Sequence, residues 1–294
     1  MRTDRRAADP TYVYAALLLL GLALACAFAP ALPTPTPRPT PGPSATPTLC
    51  PSPTPLPTRT PLPPDTGWQP THPGIEVRSV NVQAGELTER LTIARLDPAQ
   101  VRLRVFYAPG APAPVGAWAR QTDALLVVNG GYFTAEQEVT GLTITNGEVH
   151  GTPLGDYAGM LAVGYDESVS VRWLRTWPYD PTEGLREAVQ SFPVLVKPGG
   201  VMGFPADADD GRASRRTVVA QDVEGRVLLT IAPRGYLSLH ELAIWLAGSD
   251  LGVDVAVNLD GGTSSGFWLQ DAAVGGAQVE SLIPVPVVIA VLPR

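Results

Sequence analysis

Residues 30–64 interleave proline with threonine and serine, PALPTPTPRPTPGPSATPTLCPSPTPLPTRTPLPP, and hold nearly half of the chain's 32 prolines. Proline fixes φ and carries no N–H, so this stretch builds neither a ladder nor a core and favours extended polyproline II. At ~3.1 Å per residue, about 35 residues reach up to ~100 Å. Whatever folds must lie on either side of it. On the N-terminal side, Tyr12–Ala29 is an uncharged apolar run, YVYAALLLLGLALACAFA, preceded by Arg2, Arg5 and Arg6. Its length of about eighteen residues suits a secretory h-region or a short membrane span, and the arginines place the N-terminus in the cytoplasm. Leu22–Cys26, LALAC, resembles a lipoprotein processing site, with Leu24 and Ala23 in inverted order. An uncleaved anchor, a lipid anchor at Cys26 and clean secretion all remain open. The expected organisation is a signal or membrane-anchor segment over 1–29, a disordered linker over 30–68 and a globular domain over 69–294, exported to the outer face of the membrane or the cell envelope.

The two cysteines, Cys26 and Cys50, both precede that domain, so it rests on its hydrophobic core without a disulfide. A net charge of −7 with no basic cluster gives no footprint for nucleic acid. His72, His150 and His240 show no ligand spacing, and no P-loop or dinucleotide fingerprint is present. Neither a metal nor a cofactor is expected, and no obligate protein partner is indicated.

Period-two alternation predicts strands at Ile75–Val82, Leu91–Leu96 and Val101–Tyr107. A short helical piece is expected around Val115, Trp118 and Ala119, and Ala124–Val128 reads as a strand buried on both faces. Asn146-Gly147 marks a hairpin between Leu142–Thr145 and Glu148–His150. A second hairpin joins Gly159–Gly164 to Ser168–Leu174, and Ser191–Lys197 reads as one strand. Residues 206–216, ADADDGRASRR, read as a solvated polar loop. Strands follow at Thr217–Ala220 and Arg226–Ala232. Ser238-Leu239-His240-Glu241 is a capping box that opens a helix with Leu239, Leu242, Ala243 and Leu246 on one stripe. Pro284–Leu292 is a last strand, placed at an edge or a bulge by its two prolines. The fold class is α+β, a strand-dominated mixed sheet with hairpins and one or two packed helices.

Two stretches share a grammar. Val253–Asn258 alternates and runs into Leu259-Asp260-Gly261-Gly262-Thr263-Ser264-Ser265; Ala124–Val128 runs into Asn129-Gly130-Gly131-Tyr132-Phe133. Each sets a polar side chain at a strand end before two glycines, so the pair reads as two walls of one pocket. Alternation places Asn258 and Asp260 on one face, and the glycines offer positive φ and close backbone approach.

Five motifs carry a resemblance to the phosphodiester glycosidase family: Asn129–Phe133; Gly141-Leu142 with Asn146-Gly147; Pro193, Leu195 and Gly199; Arg216-Thr217 with Gly225; and the helix over Leu239–Leu246 leading into Asn258–Ser265. Together they cover about Leu91 to Leu292. Thr263 stands where the family usually has a third glycine, Ser214-Arg215 where many members have a proline, and Ala220 where a glycine is common.

The resemblance implies cleavage between a sugar's anomeric carbon and a phosphodiester, with cell-envelope or extracellular glycans as the setting. The residues suit that problem. Arg216 offers a bidentate fork for phosphate oxygens. Asp260 is the candidate nucleophile or general base at the anomeric carbon, with Glu136, Glu138 and Asp156 as possible second carboxylates. Asn129 joins Asp260 and Arg216 as a catalytic candidate. Gly130, Gly131, Gly261 and Gly262 are candidate anion-binding backbone, and Tyr132, Asn258, Thr263, Ser264 and Ser265 candidate substrate contacts. The other reading is a non-catalytic wall- or polysaccharide-binding module whose glycine loops hold an anionic glycan. A serine hydrolase using Ser264 or Ser265 lacks a plausible histidine.

Overall fold

A computed structural model describes residues 63–270 and 278–294; the apolar run and most of the Pro/Thr stalk fall outside them. Among the described residues no helix is long and apolar enough to cross a membrane. The strands are β1 (Gln69–His72), β2 (Ile75–Ala84), β3 (Leu87–Leu96), β4 (Val101–Tyr107), β5 (Leu126–Asn129), β6 (Thr143–Thr145), β7 (Glu148–His150), β8 (Gly159–Gly164) and β9 (Val169–Trp173). They continue with β10 (Leu185–Ser191), β11 (Val194–Lys197), β12 (Val201–Met202), β13 (Arg216–Asp222), β14 (Val227–Ala232), β15 (Val253–Asn258), β16 (Phe267–Leu269), β17 (Gln278–Val279) and β18 (Val287–Pro293). Two α-helices join them, α1 (Val115–Thr122) and α2 (Leu239–Gly248).

The local signals act as the residues dictate. β4 alternates buried and less buried positions along VRLRVFY, whereas every residue of β14 is buried. Asn146 and Gly147 both take positive φ, 48° and 83°, as a two-residue hairpin turn demands. At α2, the Ser238 hydroxyl accepts from Glu241 N–H and the Glu241 carboxylate accepts from Ser238 N–H, closing the capping box. Its buried Leu242, Ala243 and Leu246 pack on Leu195, Val196, Val218 and Ala220 of the large sheet. Pro64 and Thr66, just outside the expected domain, hydrogen-bond to Asn81 and Ser79 of β2.

Three sheets form, with strand orders β1-β2-β3-β14-β13-β15-β11-β12, β7-β6-β10-β8-β9 and β17-β16-β5-β18-β4. The expected mixed sheet is corrected: among the described residues every pairing is antiparallel. Parallel neighbours need long crossovers, and the two helices supply them inside a sheet. α1 joins β4 to β5 with β18 between them, antiparallel to both. α2 joins β14 to β15, which run the same way, but β13 inserts between them and is antiparallel to both. The expected single strand at Ser191–Lys197 is two strands of different sheets. β10 ends at Ser191, the Phe192–Pro193 peptide is cis, and β11 starts at Val194. β18 is neither an edge strand nor bulged at its start. It lies between β5 and β4, because its ladder begins at Val287, after both prolines.

The largest core unites all three sheets. Val219, Val257 and Leu259 meet Leu126, Val128, Phe267 and Ile289 and, from the middle sheet, Leu161 and Val189. Gly159 on β8 lies so close to Val257 that a Cβ there would overlap its methyl groups. This packing brings the ends of β5, β10 and β15 and the start of β13 to one place.

Candidate functional site

The two glycine loops meet directly. Asp260 N–H donates to the Gly130 carbonyl (3.2 Å), and Asn129 Nδ2 donates to the Asp260 carbonyl (2.7 Å). Asn129 Oδ1 accepts from the Thr217 hydroxyl (2.7 Å) and from Gly266 N–H (3.0 Å), in a side chain that is 1% exposed. One amide thus ties β5, β13 and the far end of the 260s loop, and its donors and acceptor are occupied inside the protein. That differs from the expected catalytic part: Asn129 positions the carboxylate-bearing loop. Asn129→Ala leaves the Thr217 hydroxyl and two backbone groups buried without partners. It is expected to cost about 2–4 kcal/mol and lower the melting temperature by roughly 5–15 °C, measured by thermal denaturation.

The glycines serve packing more than anion binding. A Cβ on Gly130 would stand 2.9 Å from Val287, and one on Gly131 3.1 Å from the Gln190 carbonyl. Of the four N–H groups expected to cradle an anion, three are spent internally: Gly130 on the Val287 carbonyl, Gly261 on Asp260 Oδ1 and Gly262 on the Arg215 carbonyl. Positive φ also fails at Gly261, which is extended; only Gly262 uses it, at 62°.

β15 ends at Asn258, so the alternation that placed Asn258 and Asp260 together stops before Asp260. Asn258 is fully buried, with Nδ2 donating to the Tyr132 hydroxyl (2.9 Å) and the Phe192 carbonyl (3.1 Å). Tyr132 in turn donates to the Phe192 carbonyl (3.0 Å) and packs its ring against Phe192 and Tyr157, with centroids 4.7 and 5.7 Å away. Burial, then the Asp260 charge, raises the Tyr132 phenol above its ordinary value. Asp260 is half-buried, and desolvation pushes its carboxyl up to about 6, against the opposing hydrogen bonds of the Ser264 hydroxyl and Gly261 N–H. Ser264 and Ser265 are buried, while Thr263 is exposed and its carbonyl accepts from Leu282 N–H (2.8 Å).

Two adjacent arginines divide the remaining work. Arg215 Nη2 donates to the Ser265 (2.6 Å) and Glu280 (2.8 Å) carbonyls and braces the loop. Arg216, the first residue of β13, donates Nη2 to the Arg212 carbonyl (2.8 Å) and leaves Nε buried without a partner. It forms no ion pair with a described carboxylate. Desolvation lowers its affinity for the proton, offset in part by the Tyr132, Asp209 and Asp210 charges. A Cβ on Gly261 would sit 3.6 Å from Arg216 Nη1, which puts the guanidinium beside the Asp260 loop. Arg216 faces a cleft of about 520 Å³ walled by Phe192, Phe204, Leu239 and the polar loop Asp209–Ser214.

A family model described as phosphodiester glycosidase matches residues 122–292. The chain belongs to the phosphodiester glycosidase family. Its fold is similar to the catalytic domain of zebrafish N-acetylglucosamine-1-phosphodiester alpha-N-acetylglucosaminidase, solved auto-inhibited by its pro-peptide. That match has a TM-score of 0.58 and 17% identity over 77% of this chain and 86% of the other. A hypothetical protein from Synechocystis matches with a TM-score of 0.59 and 17% identity, over 75% of this chain and 62% of its own. No curated protein matches the sequence significantly.

Around the family motifs the structure adds residues that periodicity could not supply. The loop over 206–216 is largely exposed, as expected, and within it Asp209, Asp210 and Arg212 also border the cleft, with Asp209 Oδ2 accepting from His240 N–H (3.3 Å). Phe192 and Tyr157 complete the aromatic group beneath Tyr132, 4.4 Å apart. The expected second carboxylates are exposed, and Glu138 accepts from the Tyr107 hydroxyl (2.7 Å). The histidines bond elsewhere: His72 with the Gln270 carbonyl, His150 with Thr145 and His240 with the Phe204 carbonyl. Among the described residues no cluster of three or more His, Cys, Asp or Glu could hold a metal.

Proposed function

We propose that this chain hydrolyses the sugar–phosphate bond of a sugar-1-phosphodiester, with Asp260 acting at the anomeric carbon and Arg216 holding the phosphate. The observation that carries this is a guanidinium free of any described carboxylate partner beside the loop of a half-buried carboxylate that desolvation holds above its ordinary range. Arg216 meets the substrate's negative charge. The cleft beside it receives the group esterified to the phosphate. The anomeric C–O bond breaks with its electron pair passing to phosphate oxygen, and water supplies the hydroxyl that replaces it. A phosphate leaving group needs little protonation, so one ionised carboxylate suffices either as nucleophile or as base. Tyr132 and Asn258 frame the sugar side, and Asn129 holds the loop that carries Asp260.

The chain is also proposed to act outside the cytoplasm, anchored through residues 12–29 and held off the membrane by the Pro/Thr stalk, on cell-envelope or extracellular glycans. The support is the apolar run behind three arginines, followed by a segment suited to extended structure.

The test is turnover of α-linked sugar-1-phosphodiesters by the purified protein, followed as release of reducing sugar and phosphomonoester. The pH profile is part of it. Asp260 works as an anion, and its carboxyl titrates at about 6. Therefore kcat/KM is expected to climb about tenfold per pH unit below that value and level off above it. The phosphodiester itself stays ionised throughout. A profile that is flat between pH 5 and 8, or that falls with rising pH, removes Asp260 as the acting anion.

A further inference from the structure

A second cleft, of about 420 Å³, opens at the other end of the middle sheet, between the β8–β9 turn and the loop after β9. β10 separates the two places. Leu185 at its start borders this cleft, and Phe192 of the candidate active site follows its last residue, roughly 20 Å away for a strand of this length.

Two exposed aromatic rings line it. Tyr165 is 58% exposed and Trp177 52% exposed, far above what their size predicts for a packing role. Each is stacked against an arginine. The Arg172 guanidinium lies 4.0 Å from the Trp177 ring centroid and is locked by Glu183 (2.7 Å) and Ser170 (2.8 Å). Arg186 lies 5.6 Å from the Tyr165 ring and pairs with Glu167 (2.9 Å). The Tyr165 hydroxyl rests on the Gly147 turn, where any Cβ would collide with it. The rings are thus fixed before any ligand arrives. Between them the lining is polar, with Asp166, Ser168 and Glu183. Hydrogen bonds from the Ser168 hydroxyl and N–H hold Asp166 below the usual carboxylate range, so it is an acceptor at neutral pH.

We propose that this cleft is a second binding site, for a neutral pyranose unit of a glycan. A sugar ring offers an apolar C–H face to an aromatic ring and hydroxyl donors to a carboxylate at its edge. A cation would meet rings already stacked on guanidinium groups, and an anion would meet Asp166, since the Arg172 that borders the cleft is already paired with Glu183. The site is independent of the hydrolytic reading above. It would hold the enzyme on a polymer while the distant centre works.

The test is calorimetric titration of the folded protein with cellohexaose, chitohexaose and mannohexaose, beside tetramethylammonium and an alginate hexamer. None carries a phosphodiester, so failure of the hydrolytic reading leaves this test intact. At least one neutral hexasaccharide is expected to bind with a Kd of about 0.1–10 mM. Trp177→Ala and Tyr165→Ala are each expected to weaken that binding at least about tenfold, a loss of ~1.4 kcal/mol. Asp260→Asn is expected to leave it unchanged. Should Trp177→Ala fail to fold for want of a cover on Arg172, Tyr165→Ala alone carries the test. Absence of binding at 20-fold above about 1 mM overturns the proposal. So does binding that survives both aromatic substitutions, or preference for tetramethylammonium or alginate.

Discussion

Asp260→Asn is expected to reduce turnover of a sugar-1-phosphodiester at least ~10³-fold, about 4 kcal/mol of transition-state stabilisation, while raising the melting temperature at pH 8. The two effects share one cause. The site withdraws a carboxylate from water without giving it a cation of its own, which is why its carboxyl titrates at about 6 in place of 3.8. The folded state therefore prefers the protonated form. Its stabilising preference is complete below about pH 4 and is lost as pH rises through 6. At neutral pH the ionised group costs the fold on the order of 2–3 kcal/mol. Asparagine keeps the shape and an acceptor for Gly261 N–H and sheds the charge. The gain is expected at pH 8 and not at pH 4, a few degrees in a domain of this size. Thermal melts of both proteins at the two pH values, beside the assay, check it. Retained turnover in the folded variant takes Asp260 out of the mechanism.

Arg216→Ala is expected to lower kcat/KM for the phosphodiester by about 10²–10³-fold, some 3–4 kcal/mol, with folding stability changed by less than ~1 kcal/mol. Arg216 is desolvated and pairs with no described carboxylate, so its removal orphans no described charge. What disappears is the fork aimed at the substrate. Arg216→Lys is expected to recover little, because an ammonium on a flexible stem does not reproduce two parallel N–H bonds. The discriminating measurement uses an uncharged α-glycoside of the same sugar with a good leaving group. Its slower hydrolysis is expected to be almost unaffected by Arg216→Ala. An equal loss on both substrates would make Arg216 a structural residue.

The motif residues were legible because each sits where local chemistry is demanding. Asn146-Gly147 announced its turn, Ser238 with Glu241 announced a helix start, and the paired glycines flagged the two loops. Their function as glycines was not legible. Sequence suggests anion cradles, but Gly130 is small for the sake of Val287 and Gly131 for the sake of the Gln190 carbonyl, contacts with strands far along the chain. Asn129 was expected to act in catalysis, but its side chain is occupied inside the protein by four partners contributed by β13 and both loops, which no local pattern announces. Residues 206–216 read as a solvated loop and are one, but nothing in them shows that the loop also borders a cleft until α2 and Phe204 are placed beside it.

By itself the sequence determined the strand-rich domain, the absence of cysteines from it and the Asp260 and Arg216 motifs, and it supports the expectation of a Pro/Thr stalk before that domain, because composition, period and turn chemistry are local properties. Tertiary structure alone decided that all the described pairings are antiparallel, that β10 and β11 part company at Phe192, and that Asp260 is partly desolvated while Arg216 forms no ion pair with a described carboxylate. Burial and charge pairing depend on neighbours tens to hundreds of residues away, and no window of sequence contains them.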